Sequence, residues 1–157
     1  MEIVGEYNLS ADRATVWRAL NDPEVLRTCI PGCEELERLS ETEFTAQVKS
    51  RVGPVSANFA GRVILEDVMA PKSYTLRGEG EGGVAGFAKG QAAVWLEETP
   101  SGTILRYDAK AQVGGKLAQL GSRVLKGTVR KLATRFFDNL AELLGGSAVV
   151  RGDEADP

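Results

Sequence analysis

At 157 residues the chain is long enough for one domain around one core and too short for two of ordinary size. Hydrophobic residues make up 43% and charged residues 26%, with a net charge of −3 and a pI near 5.2 that argue against binding to nucleic acid. There is no histidine, which removes Ser-His-Asp and Cys-His catalysis, His-containing zinc sites and a haem with a proximal histidine.

Met1-Glu2-Ile3-Val4-Gly5-Glu6 is acidic and strand-like where a signal peptide would be basic and then apolar. No apolar run approaches the ~20 residues that span a bilayer, so a soluble cytoplasmic protein is expected. Glu2 to Leu9 reads as a first strand. Ala14, Trp17 and Leu20 then follow at helical spacing, with Ser10 or Asp12 as the cap. Asn21-Asp22-Pro23 ends that helix, a second short helix covers Glu24 to Thr28, and Ile30-Pro31-Gly32 turns the chain into a sheet. Cys29 and Cys33 are too few for a disulfide scaffold. Their Cys-Ile-Pro-Gly-Cys spacing is neither a redox Cys-x-x-Cys nor half of a zinc site, which leaves buried or turn thiols, or a reversible disulfide.

From Glu34 to Val113 consecutive strands are joined by turn signals at Gly53-Pro54, Ala70-Pro71-Lys72, Gly82-Gly83 and Pro100-Ser101-Gly102, the pattern of an antiparallel meander. Phe44, Ala46 and Val48 alternate with Thr45, Gln47 and Lys49. Val55, Ala57, Phe59, Gly61, Val63 and Leu65 alternate with Ser56, Asn58, Arg62 and Glu66. Tyr74 and Leu76 continue that parity, as do Leu105, Tyr107, Ala109, Ala111 and Val113, so one face of the sheet is dry. Over Val84 to Leu96 the same parity holds Val84, Gly86, Ala88, Gly90, Ala92 and Val94, small residues for a core.

After Gly114-Gly115 the period becomes helical. Leu117, Leu120, Val124, Thr128, Leu132, Phe136, Leu140 and Leu143 fall three or four apart up to Gly145-Gly146, which predicts one helix of about 30 residues, ~45 Å long, lying across the sheet. Opposite its apolar stripe, Lys116, Arg123, Lys126 and Arg130 share one sector and form a basic ridge. That ridge reads as a solvated face, or as a contact for an anionic membrane surface or an acidic partner. Residues 1–145 are thus one α+β domain, and 146–157, with Asp153, Glu154 and Asp156, read as a disordered acidic tail in which Arg151-Gly152-Asp153 carries little information.

The inward parity of these strands contains no Asp, Glu, Lys or Arg, so acid-base chemistry inside the sheet would rest on Tyr74, Tyr107 or a cysteine. Gly78-Glu79-Gly80-Glu81-Gly82-Gly83 satisfies G-x-G-x-x-G, but it carries two carboxylates and precedes a strand, so it offers a phosphate no helix N-terminus. A dry sheet under an amphipathic helix is either a filled core or, given the Gly and Ala run, an apolar cavity.

The order strand, two short helices, meander, long C-terminal helix resembles the START/Bet v 1-like helix-grip superfamily. Several motifs narrow the likeness: Leu26-Arg27-Thr28-Cys29-Ile30-Pro31-Gly32-Cys33, Val52-Gly53-Pro54-Val55 with Phe59-Ala60-Gly61, Gly86-Phe87-Ala88-Lys89-Gly90, Gly114 to Arg123, and Phe136-Phe137. Together they look like the carbon monoxide dehydrogenase CoxG family. The resemblance implies a curved sheet wrapped around the long helix. It also implies a non-catalytic accessory of a molybdenum hydroxylase complex, linking that enzyme to the cytoplasmic membrane and its quinone pool, with molybdopterin, iron-sulfur and flavin cofactors belonging to the partner. The chain itself is expected to hold no cofactor beyond a bound quinone. Some relatives carry an apolar C-terminal anchor where this chain has its acidic tail, so membrane contact is expected to be peripheral.

The expected ligand wall is Phe44, Val48, Phe59, Val63, Tyr74, Leu76, Tyr107, Leu117, Leu120 and Val124, with Tyr74 and Tyr107 as donors to a carbonyl oxygen. Cys29, Pro31 and Gly32 are expected at a cavity edge. Lys116, Arg123, Lys126 and Arg130 are expected to meet the membrane or a partner. The alternatives are a docking or assembly factor with a filled core, and an enzyme acting on a polycyclic substrate through a tyrosine.

Overall fold

The computed structural model describes residues 1–145 and the backbone of 148–150. β1 (Glu2–Leu9) leads into α1 (Arg13–Leu20) and α2 (Pro23–Cys29). Asp12 rather than Ser10 caps α1, its carboxylate accepting from the Thr15 amide at 2.8 Å. Asp22 does the same for Glu24 at 2.9 Å, with Pro23 in the first helical turn, where its missing N–H has no partner to lose.

Six strands follow as the meander the turns announced: β2 (Cys33–Ser40), β3 (Glu43–Val52), β4 (Val55–Met69), β5 (Ser73–Glu81), β6 (Phe87–Thr99) and β7 (Gly102–Gly114). β1 returns to pair with β7, and the antiparallel order is β2-β3-β4-β5-β6-β7-β1-β8. The last of these, β8 (Ala148–Val150), pairs with Tyr7–Leu9. Three residues of the segment expected as a disordered tail therefore extend the sheet; the rest of it, with the Arg-Gly-Asp tripeptide, lies outside the described residues.

Two further expectations are corrected. Gly83–Ala85 is a turn of 3-10 helix, closed by the Gly82 amide on the Gly86 carbonyl at 2.8 Å, so β6 begins at Phe87. Val84 points away from the core at 85% exposure, and Ala85 is buried instead. The single helix of about 30 residues is also two elements: a 3-10 segment at Gly115–Leu120, then, beyond Gly121 at φ +85, α3 (Ser122–Leu143), about 33 Å long. Leu117 and Leu120 lie three apart, the 3-10 period, and that spacing also fits an α-helix.

α3 lies over the inner face of the sheet. Leu105, Tyr7, Val16 and Leu140 are almost wholly buried at one end, where Tyr7 stacks on Phe137 with ring centroids 4.2 Å apart. The Asn139 amide donates to the Cys29 carbonyl at 2.9 Å and ties α3 to the end of α2.

Candidate ligand cavity

Because the strands alternate, one inner face gathers Phe44, Val63, Leu65, Leu76, Tyr74, Val94 and Tyr107, interrupted by Ala46, Gly61 and Ala92. Above these small residues the space between sheet, α2 and α3 stays open as a cavity of about 430 Å³, within the ~300–1,000 Å³ of small-molecule pockets. Val63, Leu76, Tyr107 and Phe136 remain half-buried because they face this space.

Of the ten residues expected in the wall, Phe44, Val48, Val63, Tyr74, Leu76 and Tyr107 border the cavity. Phe59, Leu117, Leu120 and Val124 do not. Phe59 has the inward parity but sits near the strand end with its ring over Gly82, where a β-carbon would lie 2.5 Å from it. Leu117 is buried in the 3-10 segment. Leu120 and Val124 reach the Gly53 turn, Val124 remaining exposed, because the break at Gly121 detaches this stretch from the helix that covers the cavity.

Ala133, Phe136 and Phe137 supply the α3 side, and Leu20, Leu26, Ile30 and Leu36 close the flank. Phe136 and Phe137 belong to the helical stripe already visible in the sequence. The flank from α1 and α2 carries no such signal, since the docking angle of a short helix decides what its apolar residues cover.

The expected edge residues Cys29, Pro31 and Gly32 do not border the cavity; Ile30 between them does. Cys29 is fully buried behind it. Gly32, at φ +78, receives the Lys49 amide on its carbonyl at 2.9 Å, and any β-carbon there would strike the Lys49 carbonyl oxygen. The turn thus aims Ile30. Burial pushes the thiols of Cys29 and Cys33 upward, which keeps both protonated.

Polar chemistry in the cavity is concentrated on Tyr74. The residue is 7% exposed, Trp17 packs edge-on against its ring at 5.4 Å, and among the described residues its hydroxyl has no hydrogen-bond partner. Burial pushes that phenol far up, so it is a donor at any physiological pH. Tyr107 lies flat over Gly5, where a β-carbon would meet its ring at 2.7 Å, and runs nearly parallel to Phe137. Arg62 and Glu79 also border the space, but strand alternation assigns their side chains to the outer face. The site can bury an apolar molecule and donate one hydrogen bond; it has no inward acid or base to move protons. Among the described residues no group of His, Cys, Asp or Glu is placed to hold a metal.

A family model for the G component of carbon monoxide dehydrogenase (CoxG) matches residues 5–145. The chain belongs to the CoxG family. No curated protein matches it significantly. A conserved protein from Geobacillus kaustophilus is 30% identical, with a TM-score of 0.88 over 96% of this chain and 99% of its own. A START superfamily protein from Mycobacterium smegmatis is 12% identical, with a TM-score of 0.71 over 92% and 97%. A protein from Rhizobium leguminosarum is 20% identical, with a TM-score of 0.69 over 92% and 94%. The fold is therefore the α+β helix-grip of the START-like proteins, here in a member of the CoxG family.

In this CoxG family member the basic ridge is less regular than the helical wheel suggested. Lys116 lies on the separate 3-10 segment, Arg123 is exposed at the start of α3, and Lys126 and Arg130 are half-buried. Arg130 is partly enclosed, with its Nε shielded from solvent, so it is not part of an open cationic face. No described helix is long and apolar enough to cross a membrane.

Proposed function

We propose that this chain is a non-catalytic accessory protein that takes an apolar molecule, a quinone or a lipid-like ligand, into the cavity beneath α3. We propose further that it links a molybdenum hydroxylase of the carbon monoxide dehydrogenase type to the inner face of the cytoplasmic membrane. The observation that carries the ligand reading is an open, apolar space of about 430 Å³ with a single partnerless phenol, Tyr74, at its wall. Interiors are otherwise close-packed, and a buried hydroxyl without a partner is costly. A ligand carbonyl would satisfy both. The filled-core alternative is disfavoured by the open space, and the enzymatic alternative by the absence of an inward acid or base.

Membrane contact draws support from the loop end of the molecule, where exposed Val84, Phe87 and Val124 stand beside Lys116 and Arg123, with Arg51 at the neighbouring turn. Cations around protruding apolar tips suit an anionic bilayer, at ~1 kcal/mol per basic residue. The partner enzyme is carried by family membership alone.

Native mass spectrometry and solvent extraction of the purified protein, followed by titration with a short-tailed benzoquinone and a naphthoquinone, test the ligand. A saturable complex that quenches Trp17 is expected; repeated failure to extract or load any apolar molecule overturns the carrier reading. Sedimentation with vesicles rich in anionic phospholipid tests the membrane. Arg123→Glu with Lys116→Glu should weaken that binding at least about tenfold and high salt should abolish it, whereas indifference to both would remove the membrane from the account.

A further inference from the structure

In β4 the period of two turns Val63 and Leu65 inward, and carried on it would turn positions 67 and 69 inward as well. The register breaks instead. Glu66 faces Thr75 and Met69 faces Ser73, so β4 holds one residue more than β5 between these pairs. Within this bulge Asp67 sits at φ +50, the one non-glycine residue at positive φ among those described. An extra residue reverses which face the following side chains take. Met69 is thereby moved onto the outer face of the sheet, 64% exposed, with Val68 exposed next to it.

It does not stand there alone. The cross-strand line runs Met69, Ser73, Trp95, Arg106, Glu6, and Trp95 is itself 46% exposed. Ser73 between the two apolar residues is small, so they form one patch across about 10 Å, two strand spacings. Arg106 is held in place by Glu6 at 3.0 Å and by Glu97. A strained residue and a bulge hold an apolar side chain out in water beside a tryptophan and a fixed guanidinium, and strain of this kind persists where surrounding structure maintains it for function. Trp, Met and Arg are also the residues enriched at the centres of protein interfaces.

The charges around the patch select the occupant. Glu6, Glu66, Asp67, Glu97, Glu98 and Asp108 face Arg13, Lys72, Arg77 and Arg106, and the three arginines are already paired with Glu98, Glu66, and Glu6 with Glu97. The excess is acidic and the platform is a rigid strand surface, which suits a protein with a basic rim and repels an anionic bilayer.

We infer that Met69, Val68 and Trp95 are the centre of a protein-docking surface, seated in an apolar socket framed by lysine or arginine on the molybdenum hydroxylase. The identity of that partner rests on the function proposed above; the surface itself does not depend on the cavity holding a ligand. The test is the affinity of the full chain for the purified three-subunit hydroxylase from the same organism, by calorimetry or sedimentation. Trp95→Ser and Met69→Ser should each weaken binding at least about tenfold, the range of an interface hot spot. Asp67→Lys should slow association and reduce its salt dependence. Leu39→Ser, an exposed apolar residue on the edge strand β2, should leave affinity unchanged. Circular dichroism checks that each variant is folded, and Trp95→Gln stands in if Trp95→Ser is not. A complex unchanged by both the Trp95 and Met69 substitutions, or weakened equally by Leu39→Ser, overturns the surface while the partner reading stands. No complex with the unaltered chain overturns both.

Discussion

One inner sheet face is packed solid at one end and hollow at the other. At the packed end the cross-strand row Leu96, Leu105, Tyr7 meets Val16 and Leu140 with almost no exposure. At the hollow end Ala46, Gly61 and Ala92 present little or no side chain to α3, and the space above them stays open. Backbone, pairing and twist are continuous between the two. The difference lies in side-chain volume, so the cavity is written in the choice of glycine and alanine at inward positions rather than in any distortion of the fold.

The packed end should break hardest. Leu140→Ala removes a fully buried side chain from an interior with no room to relax, and should cost about 2–5 kcal/mol in denaturant unfolding. Val63→Ala at the cavity wall should cost clearly less, because Val63 is already half-exposed to the open space. Equal losses would mean the cavity is not open in solution.

Filling the hollow end is the converse, with a smaller effect on stability. Ala46→Leu and Ala92→Leu place added methyl groups into vacant volume. Unfolding free energy should change by less than about 1.5 kcal/mol, where overpacking a closed core costs about 1–3. Quinone loading should be lost. If both variants load normally, the ligand sits elsewhere and the hollow is incidental.

Much of this contrast was legible in the sequence, and the reasons differ residue by residue. Parity alone identified Phe44, Val63, Leu76 and both cavity tyrosines, because a period of two admits one inward set once one face is dry. Parity misplaced Phe59 and Val84, since it says nothing about where along a strand the covering helix ends or where the strand begins. The 3-10 segment escaped because Leu117 and Leu120 suit either helix type. Leu20, Leu26 and Ile30 escaped because the placement of short helices is set by tertiary contacts such as the Asn139 to Cys29 hydrogen bond, which spans 110 residues of sequence. The β4 bulge left no mark that a period of two could register.

The smallest effect discriminates most sharply. Tyr74 sits where the packed and hollow ends meet, its ring against Trp17 and its hydroxyl without a partner. Removing an unpaired buried hydroxyl forfeits no hydrogen bond, so Tyr74→Phe should leave neutral-pH stability within about 1 kcal/mol of the unaltered chain or raise it. At alkaline pH the two should part. Burial raises the folded phenol above its ordinary value of 10.0, so the unfolded chain releases that proton first, and stability present below pH 10 falls as pH climbs beyond it. Tyr74→Phe removes this share of the alkaline loss while the share from buried Cys29, whose thiol is pushed above its ordinary 9.0, persists. Binding of a carbonyl-bearing quinone should weaken in the same variant and binding of its hydrocarbon analogue should not, since only the former uses the phenolic proton. A quinone affinity unmoved by the substitution would assign recognition to shape alone.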